Sequence, residues 1–155
     1  MQGFISNSPV APDLFRIGDA AIAREDDKAL RAYFAEDYCF HGPAGDLGFE
    51  ELRGYFASLR AAFSDLRVVR EQIIADGTYL AVRSAFSGRF TGVFTYAPGG
   101  PVRPTGEQVE WEVIATFRHD DNGRLAEEWV QTDYRSLLTK LGVTTKESVQ
   151  QGTST

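Results

Sequence analysis

Apolar residues recur at helical spacing in three segments of the first half of the chain. From Pro12 to Ala23 and from Asp27 to Phe34 they fall three or four positions apart, with Asp26 and Asp27 marking the second start. From Phe49 to Phe63 the pattern is clearest: Phe49, Leu52, Phe56, Leu59 and Phe63 share one stripe of an amphipathic helix. A short strand is predicted at Tyr38 to His41, ending at Gly42-Pro43. The period then changes to two, predicting strands at Leu66 to Ile74, Tyr79 to Phe86, Phe90 to Tyr96, Val109 to Arg118 and Leu125 to Thr132. Asp76-Gly77 and Asn122-Gly123 carry the residue types of hairpin turns. A short amphipathic helix follows Asp133 and closes the pattern at Gly142.

Early helices and a later meander predict an α+β domain, a curved antiparallel sheet with helices packed on one face. Strand alternation assigns the faces. Val109, Trp111, Val113, Ala115 and Phe117 form one wholly apolar parity and must face the interior, opposite Glu110, Glu112, Ile114, Thr116 and Arg118. Both parities of Leu125 to Thr132 are mixed, which suits a strand buried on one side and in a subunit contact on the other. One domain is expected over 1–143, with a frayed Ser/Thr/Gln-rich tail over 144–155.

Composition narrows the functional classes. A chain of 155 residues that is 43% hydrophobic can bury a core of its own, and 12% aromatics can line a cavity as well. A net charge of -6 argues against a nucleic-acid or anionic-membrane surface. No apolar run reaches the roughly 20 residues of a spanning helix, and the first residues lack a signal pattern. With Cys39 as the sole cysteine, no internal disulfide is possible and a cytoplasmic home is expected. His41 and His119 are the only histidines, too few for a zinc site, so no metal is expected. No G-x-S-x-G is present, and Gly99-Gly100 lacks the strand–helix context of a phosphate cradle.

Several stretches, in order, resemble the SnoaL-type polyketide cyclases (SnoaL-like ester cyclases). These are Ala61 to Leu66, Ser87-Gly88-Arg89-Phe90-Thr91-Gly92, Pro104-Thr105-Gly106, and Phe117-Arg118 through Glu127-Glu128-Trp129 to Leu141-Gly142. The resemblance spans roughly Pro12 to Gly142. It implies the cone-shaped α+β barrel shared with ketosteroid isomerase and scytalone dehydratase, whose open end holds a small hydrophobic molecule without a cofactor. It also implies a homodimer or homotetramer formed through the outer sheet face.

The resemblance carries the catalytic pair of the aldol cyclases onto two apolar positions. Their Asp follows the triplet matched by Glu127-Glu128-Trp129, where this chain has Val130; their His falls at Ala115. Both positions should still face the pocket, and the same mapping adds Ile22, Tyr55, Val113 and Glu128 to its wall, beside Trp111. Glu128 shares the parity of Val130 and is either the surviving acid/base group, its pKa raised by desolvation, or a structural partner of Arg83 or Arg118. His41 could donate to a substrate carbonyl or shuttle a proton at the cavity mouth, or be a surface loop residue. Arg83 could orient a carboxylate or enolate, or stand on the outer face. Asp133 is expected as a helix N-cap in preference to a pocket group, and His119 as part of a solvated turn. The function expected is a cofactor-independent cyclase or isomerase acting on a small polyketide-like molecule. An epoxide hydrolase and a non-catalytic binding protein are the alternatives.

Overall fold

The computed structural model describes residues 11–144. The tail expected over 144–155 therefore falls, from 145 on, outside the described residues.

Helix α1 (Ala11–Gly18) runs straight into a π-helical turn over Asp19–Ala23, and α2 (Asp27–Tyr33) follows. The Asp26 carboxylate caps α2 by accepting from the Ala29 N–H at 3.1 Å, as its position before the apolar spacing implies. Strand β1 (Phe34–Gly42) leads through a tight turn to β2 (Gly45–Leu47), which the sequence pattern did not show. β1 is also longer than the four residues expected, because Phe34 and Tyr38 are both core residues with a bulge between them. Helix α3 (Phe49–Ala62) then crosses to the far edge. Strands β3 (Phe63–Asp76), β4 (Tyr79–Phe90), β5 (Gln108–His119) and β6 (Leu125–Thr132) return as a meander, and α4 (Tyr134–Lys140) ends it.

The sheet order is β2-β1-β6-β5-β4-β3, an open sheet with β2 and β3 at its edges. One pair departs from the antiparallel expectation: β1 runs parallel to β6, with Phe40 opposite Glu128 and His41 opposite Trp129. Sequential connections set alternating directions within β1–β2 and along β3 to β6. β1 reaches β6 from the other side, so its direction is a tertiary matter that local patterning does not encode.

The segment Phe90 to Tyr96 is not a strand of its own. Phe90 ends β4, and the Thr91 and Gly92 N–H groups both donate to the Ala62 carbonyl at 3.0 Å, tying the loop to the end of α3. A Cβ on Gly92 would run into the Ala61 carbonyl oxygen, so the close approach requires glycine. Phe94 is fully buried as a loop anchor, held by a bridge to Val102. Its spacing from Phe90 mimics a strand while serving packing. Phe63, Phe86, Phe90, Phe94 and Trp111 fill one end of the cone, with Phe63 and Trp111 centroids 4.9 Å apart. Burying each such ring stabilises the fold by about 1.5–3 kcal/mol.

Candidate functional site

The aromatic cluster stops partway along the inner face of the sheet, and beyond it a cavity remains. α1, the π-helical turn and α3 cover it on one side, and the inward residues of β3 to β6 form the other. Its volume is about 70 Å³, counted as the space open to the centre of a water-sized sphere. One water needs about 10–15 Å³ on that measure, so the space holds several waters or a small organic group.

Inner-face rows follow directly from strand register. Val82, Ala115 and Val130 are paired side by side across β4, β5 and β6, and the next row contains Leu80, Phe117, Glu128 and Phe40. Ala115 and Val130 thus sit together on the wall, as do Trp111, Val113 and Glu128. Ile22 from the π-helical turn and Tyr55 from α3 face them. Tyr55 has its hydroxyl 3.5 Å from that of Tyr134, and burial pushes its ionisation well above the ordinary range.

Glu128 is the sole carboxylate on this wall among the described residues, and it is 6% exposed. Tyr38, inward-facing on β1, donates its hydroxyl to Oε1. Burial raises the Glu128 pKa to about 7; the Tyr38 hydrogen bond and the positive charge of Arg70 oppose that rise without cancelling it. The proximity of that carboxylate in turn adds to burial in pushing the Tyr38 phenol upward, so the proton stays on tyrosine. The expected partners Arg83 and Arg118 are engaged elsewhere: Arg118 Nε donates to Glu127 at 3.1 Å, and Arg83 pairs with Glu112 at 3.0 Å and Glu71 at 3.3 Å.

The basic group in the cavity is Arg70 of β3, which sequence reading did not single out. A bulge at Glu71 explains why. Arg70 pairs with Ser84 while Gln72 pairs with Arg83, so the alternation that turns Arg70 inward breaks before Ile73, which also faces inward. Arg70 Nη1 donates to Ser84 Oγ at 2.8 Å, its Nε has no partner among the described residues, and its guanidinium lies 5.8 Å from the Phe117 ring centre. Desolvation lowers its pKa.

Two residues expected at the cavity lie on the opposite face. Arg83 is on the outward parity of β4, where its acidic partners hold it. His41 points outward while its neighbour Phe40 points in. Its Nε2 and Nδ1 lie 2.9 Å from Glu127 and 2.8 Å from Asp46, and the ring stacks on Trp129. Both carboxylates accept from it, which raises its pKa. Cys39, His41 and Asp46 come close together there, but the two imidazole nitrogens are already occupied by carboxylates.

His119, expected in a solvated turn, is instead 2% exposed. It continues the inward parity of β5 by one more step. Its Nε2 accepts from Tyr33 Oη at 2.7 Å while Nδ1 faces the Thr78 carbonyl, and burial lowers its pKa. Asp133 is the N-cap of α4, accepting from the Ser136 N–H at 3.0 Å.

A curved open sheet, helices on its inner face and an apolar hollow lined, among the described residues, by one carboxyl and one guanidinium define the α+β cone class of fold. The chain belongs to the SnoaL-like polyketide cyclase family, whose model matches residues 13–141. Solved structures agree on the fold. A SnoaL-like protein from Jannaschia, suggested to be a polyketide cyclase, superposes with a TM-score of 0.76 at 20% identity, over 92% of this chain and 100% of that one. AclR of Streptomyces galilaeus, for which a hydroxylase role has been suggested, gives 0.74 at 22% identity over 91% and 87%. IdmH of Streptomyces antibioticus, suggested to be a polyketide cyclase, gives 0.71 at 24% identity over 88% and 100%. No curated protein sequence matches the chain. Among the described residues, no helix is long and apolar enough to cross a membrane.

Proposed function

We propose that the protein is a cofactor-independent cyclase or isomerase that moves a proton on a small, hydrophobic, polyketide-like carbonyl compound, with Glu128 as the acid/base group. The observation that carries this reading is a carboxyl with a pKa near 7 on the wall of an apolar cavity. A carboxylate of that kind is matched to abstraction next to a carbonyl near neutral pH. The carbon-bound proton moves to Glu128 and the C–H electron pair into the adjacent carbonyl, leaving an enolate. That enolate either attacks a second carbonyl of the same molecule, closing a ring and leaving an alkoxide that takes the proton from Glu128, or takes the proton back at another carbon. Ala115 and Val130 supply apolar surface where the aldol cyclases carry their acid/base pair, so the cavity walls hold the chain folded while Glu128 moves the proton.

A nitrobenzisoxazole tests this without knowledge of the natural substrate, because its ring opens when a base in an apolar site removes one C–H proton. Catalysed opening that falls at least about 100-fold in Glu128→Gln supports the reading. No catalysis by the wild type, or undiminished catalysis by the variant, contradicts it. An epoxide hydrolase needs a second carboxylate around its water, and the cavity wall offers only Glu128 among the described residues.

Pairing of two copies through the outer face belongs to the same proposal. Register puts Ile74, Ala81, Thr116, Trp129 and His41 in one row across that face, with Ile114 alongside. Trp129 is 39% exposed and Ile114 57%, a large apolar surface for a solvated strand face. Light scattering on the wild type and on Ile114→Lys decides it: a dimer or tetramer that dissociates in the variant is expected, and a wild-type monomer contradicts it.

A further inference from the structure

We infer that Arg70, seated on Ser84, is an oxyanion site within the cavity, and that the ligand is an apolar molecule bearing a carboxylate or an ionised enol or phenol. This rests on the cavity being a ligand site and names the polar end of what enters it.

The arginines of this chain show why Arg70 differs. Arg53, Arg60 and Arg118 are also partly buried, and each has a carboxylate partner: Arg53 has Asp27 at 3.0 Å, Arg60 has Glu25 at 3.2 Å and Arg118 has Glu127 at 3.1 Å. Arg70 has no carboxylate within ion-pair distance among the described residues, and its one hydrogen bond is to the neutral Ser84 hydroxyl. A guanidinium has five donor hydrogens, and a buried charge that leaves donors unmatched is costly unless something else satisfies them. Among the described residues the Nε–H is enclosed and unpaired, as is that of Arg53, so the missing carboxylate is what sets Arg70 apart.

The surroundings hold the group in place without neutralising it. Phe117 lies under the guanidinium, and Gly18 of α1 lies over it: a Cβ on Gly18 would stand 3.1 Å from an Nη. Any ordinary side chain at that point would crowd the guanidinium, so the glycine leaves it room. Ser84, 1% exposed on an otherwise apolar inward parity of β4, has Arg70 as its one side-chain partner among the described residues. The charged and titratable groups that act on Arg70 are Glu128 and Tyr33, and neither is bonded to it. A planar oxyanion is the complement of this arrangement, because a guanidinium fork matches two oxygens at once.

Three probes of similar size test it: benzoate, nitrophenol and benzyl alcohol, titrated calorimetrically into the wild type, Arg70→Met and Arg70→Lys. Benzoate or the nitrophenolate form is expected to bind at least about tenfold more tightly than benzyl alcohol, with the preference lost in Arg70→Met and partly kept in Arg70→Lys. Preference for benzoate alone supports a carboxylate ligand; preference for nitrophenolate alone supports an enolate or phenolate. Equal or better binding of benzyl alcohol, or a preference that survives Arg70→Met, overturns the inference. Should Arg70→Met fail to fold, the Nε–H resonance of Arg70 in the wild type decides: movement with either anion but not with benzyl alcohol supports the site, and no movement with either anion overturns it. Failure of the catalytic reading looks different. There, nitrobenzisoxazole would stay intact while the anion preference persists, including in Glu128→Gln.

Discussion

The Tyr38 hydroxyl donates to the Glu128 carboxylate across the parallel pair of β1 and β6. Tyr38 lies two residues before Phe40, the strand neighbour of Glu128, so both side chains turn to the same inner face. This single contact links the register of β1 to the chemistry of the cavity. Burial and the hydrogen bond act on Glu128 in opposite directions, and burial is the larger, leaving the group at about 7.

Removing the hydrogen bond should therefore raise the Glu128 pKa further. In Tyr38→Phe, the pH at which nitrobenzisoxazole opening reaches half its maximum is expected to rise by about one unit, a change of about 1.4 kcal/mol in favour of the protonated form. The limiting rate at high pH should survive, because the base is intact. A pH profile unchanged from the wild type would show that Tyr38 does not act on Glu128.

Stability should follow the same group. The folded pKa of Glu128 stands at about 7 and its ordinary value is 4.5, so the folded state keeps a proton that the unfolded chain has released. The stability this group supports is full below about pH 4.5, declines as pH rises towards 7, and stays lost above that. The gap amounts to about 3 kcal/mol. His119, lowered by burial, acts in the opposite sense and destabilises the fold as pH drops below its ordinary 6.5. Glu128→Gln leaves the His119 contribution in place. Urea unfolding at mildly acid and mildly alkaline pH should show the variant losing less stability than the wild type as pH rises. Equal losses would contradict the buried-carboxyl assignment.

Ala115 and Val130 face each other in register, and their small combined bulk keeps the hollow open. Ala115→Leu should fill it. Folding stability should change by no more than about 1–3 kcal/mol, since the side chain enters existing space, while binding of benzoate and turnover of the nitrobenzisoxazole fall at least about tenfold. Calorimetry and thermal unfolding on one preparation check both. Unaltered binding would place the ligand site elsewhere.

Much of this was legible in the chain, and the gaps have physical causes. The Phe49 to Phe63 stripe gives α3, and the all-apolar parity from Val109 to Phe117 gives the cavity-facing side of β5. Extending that parity by one step would have placed His119 inside. Likewise the inward run of Leu80, Val82, Ser84 and Phe86 already implies that Arg83 points out. His41 could have been read outward from the aromatic pair Tyr38 and Phe40 on the other parity. Arg70 is a different case, since the bulge at Glu71 interrupts the period that would have revealed it. The parallel pairing of β1 with β6 joins segments far apart along the chain, and nothing local records it. Tyr38 as the partner of Glu128 was hidden for that reason.

The carboxyl carbon resonance of Glu128, followed through a pH titration and assigned by its loss in Glu128→Gln, tests the central claim most directly. A midpoint near 7 is predicted, from a proton held by burial against the pull of Tyr38 and Arg70. A midpoint at the ordinary value of 4.5 would mean a solvated carboxylate and would remove the acid/base group from the cavity.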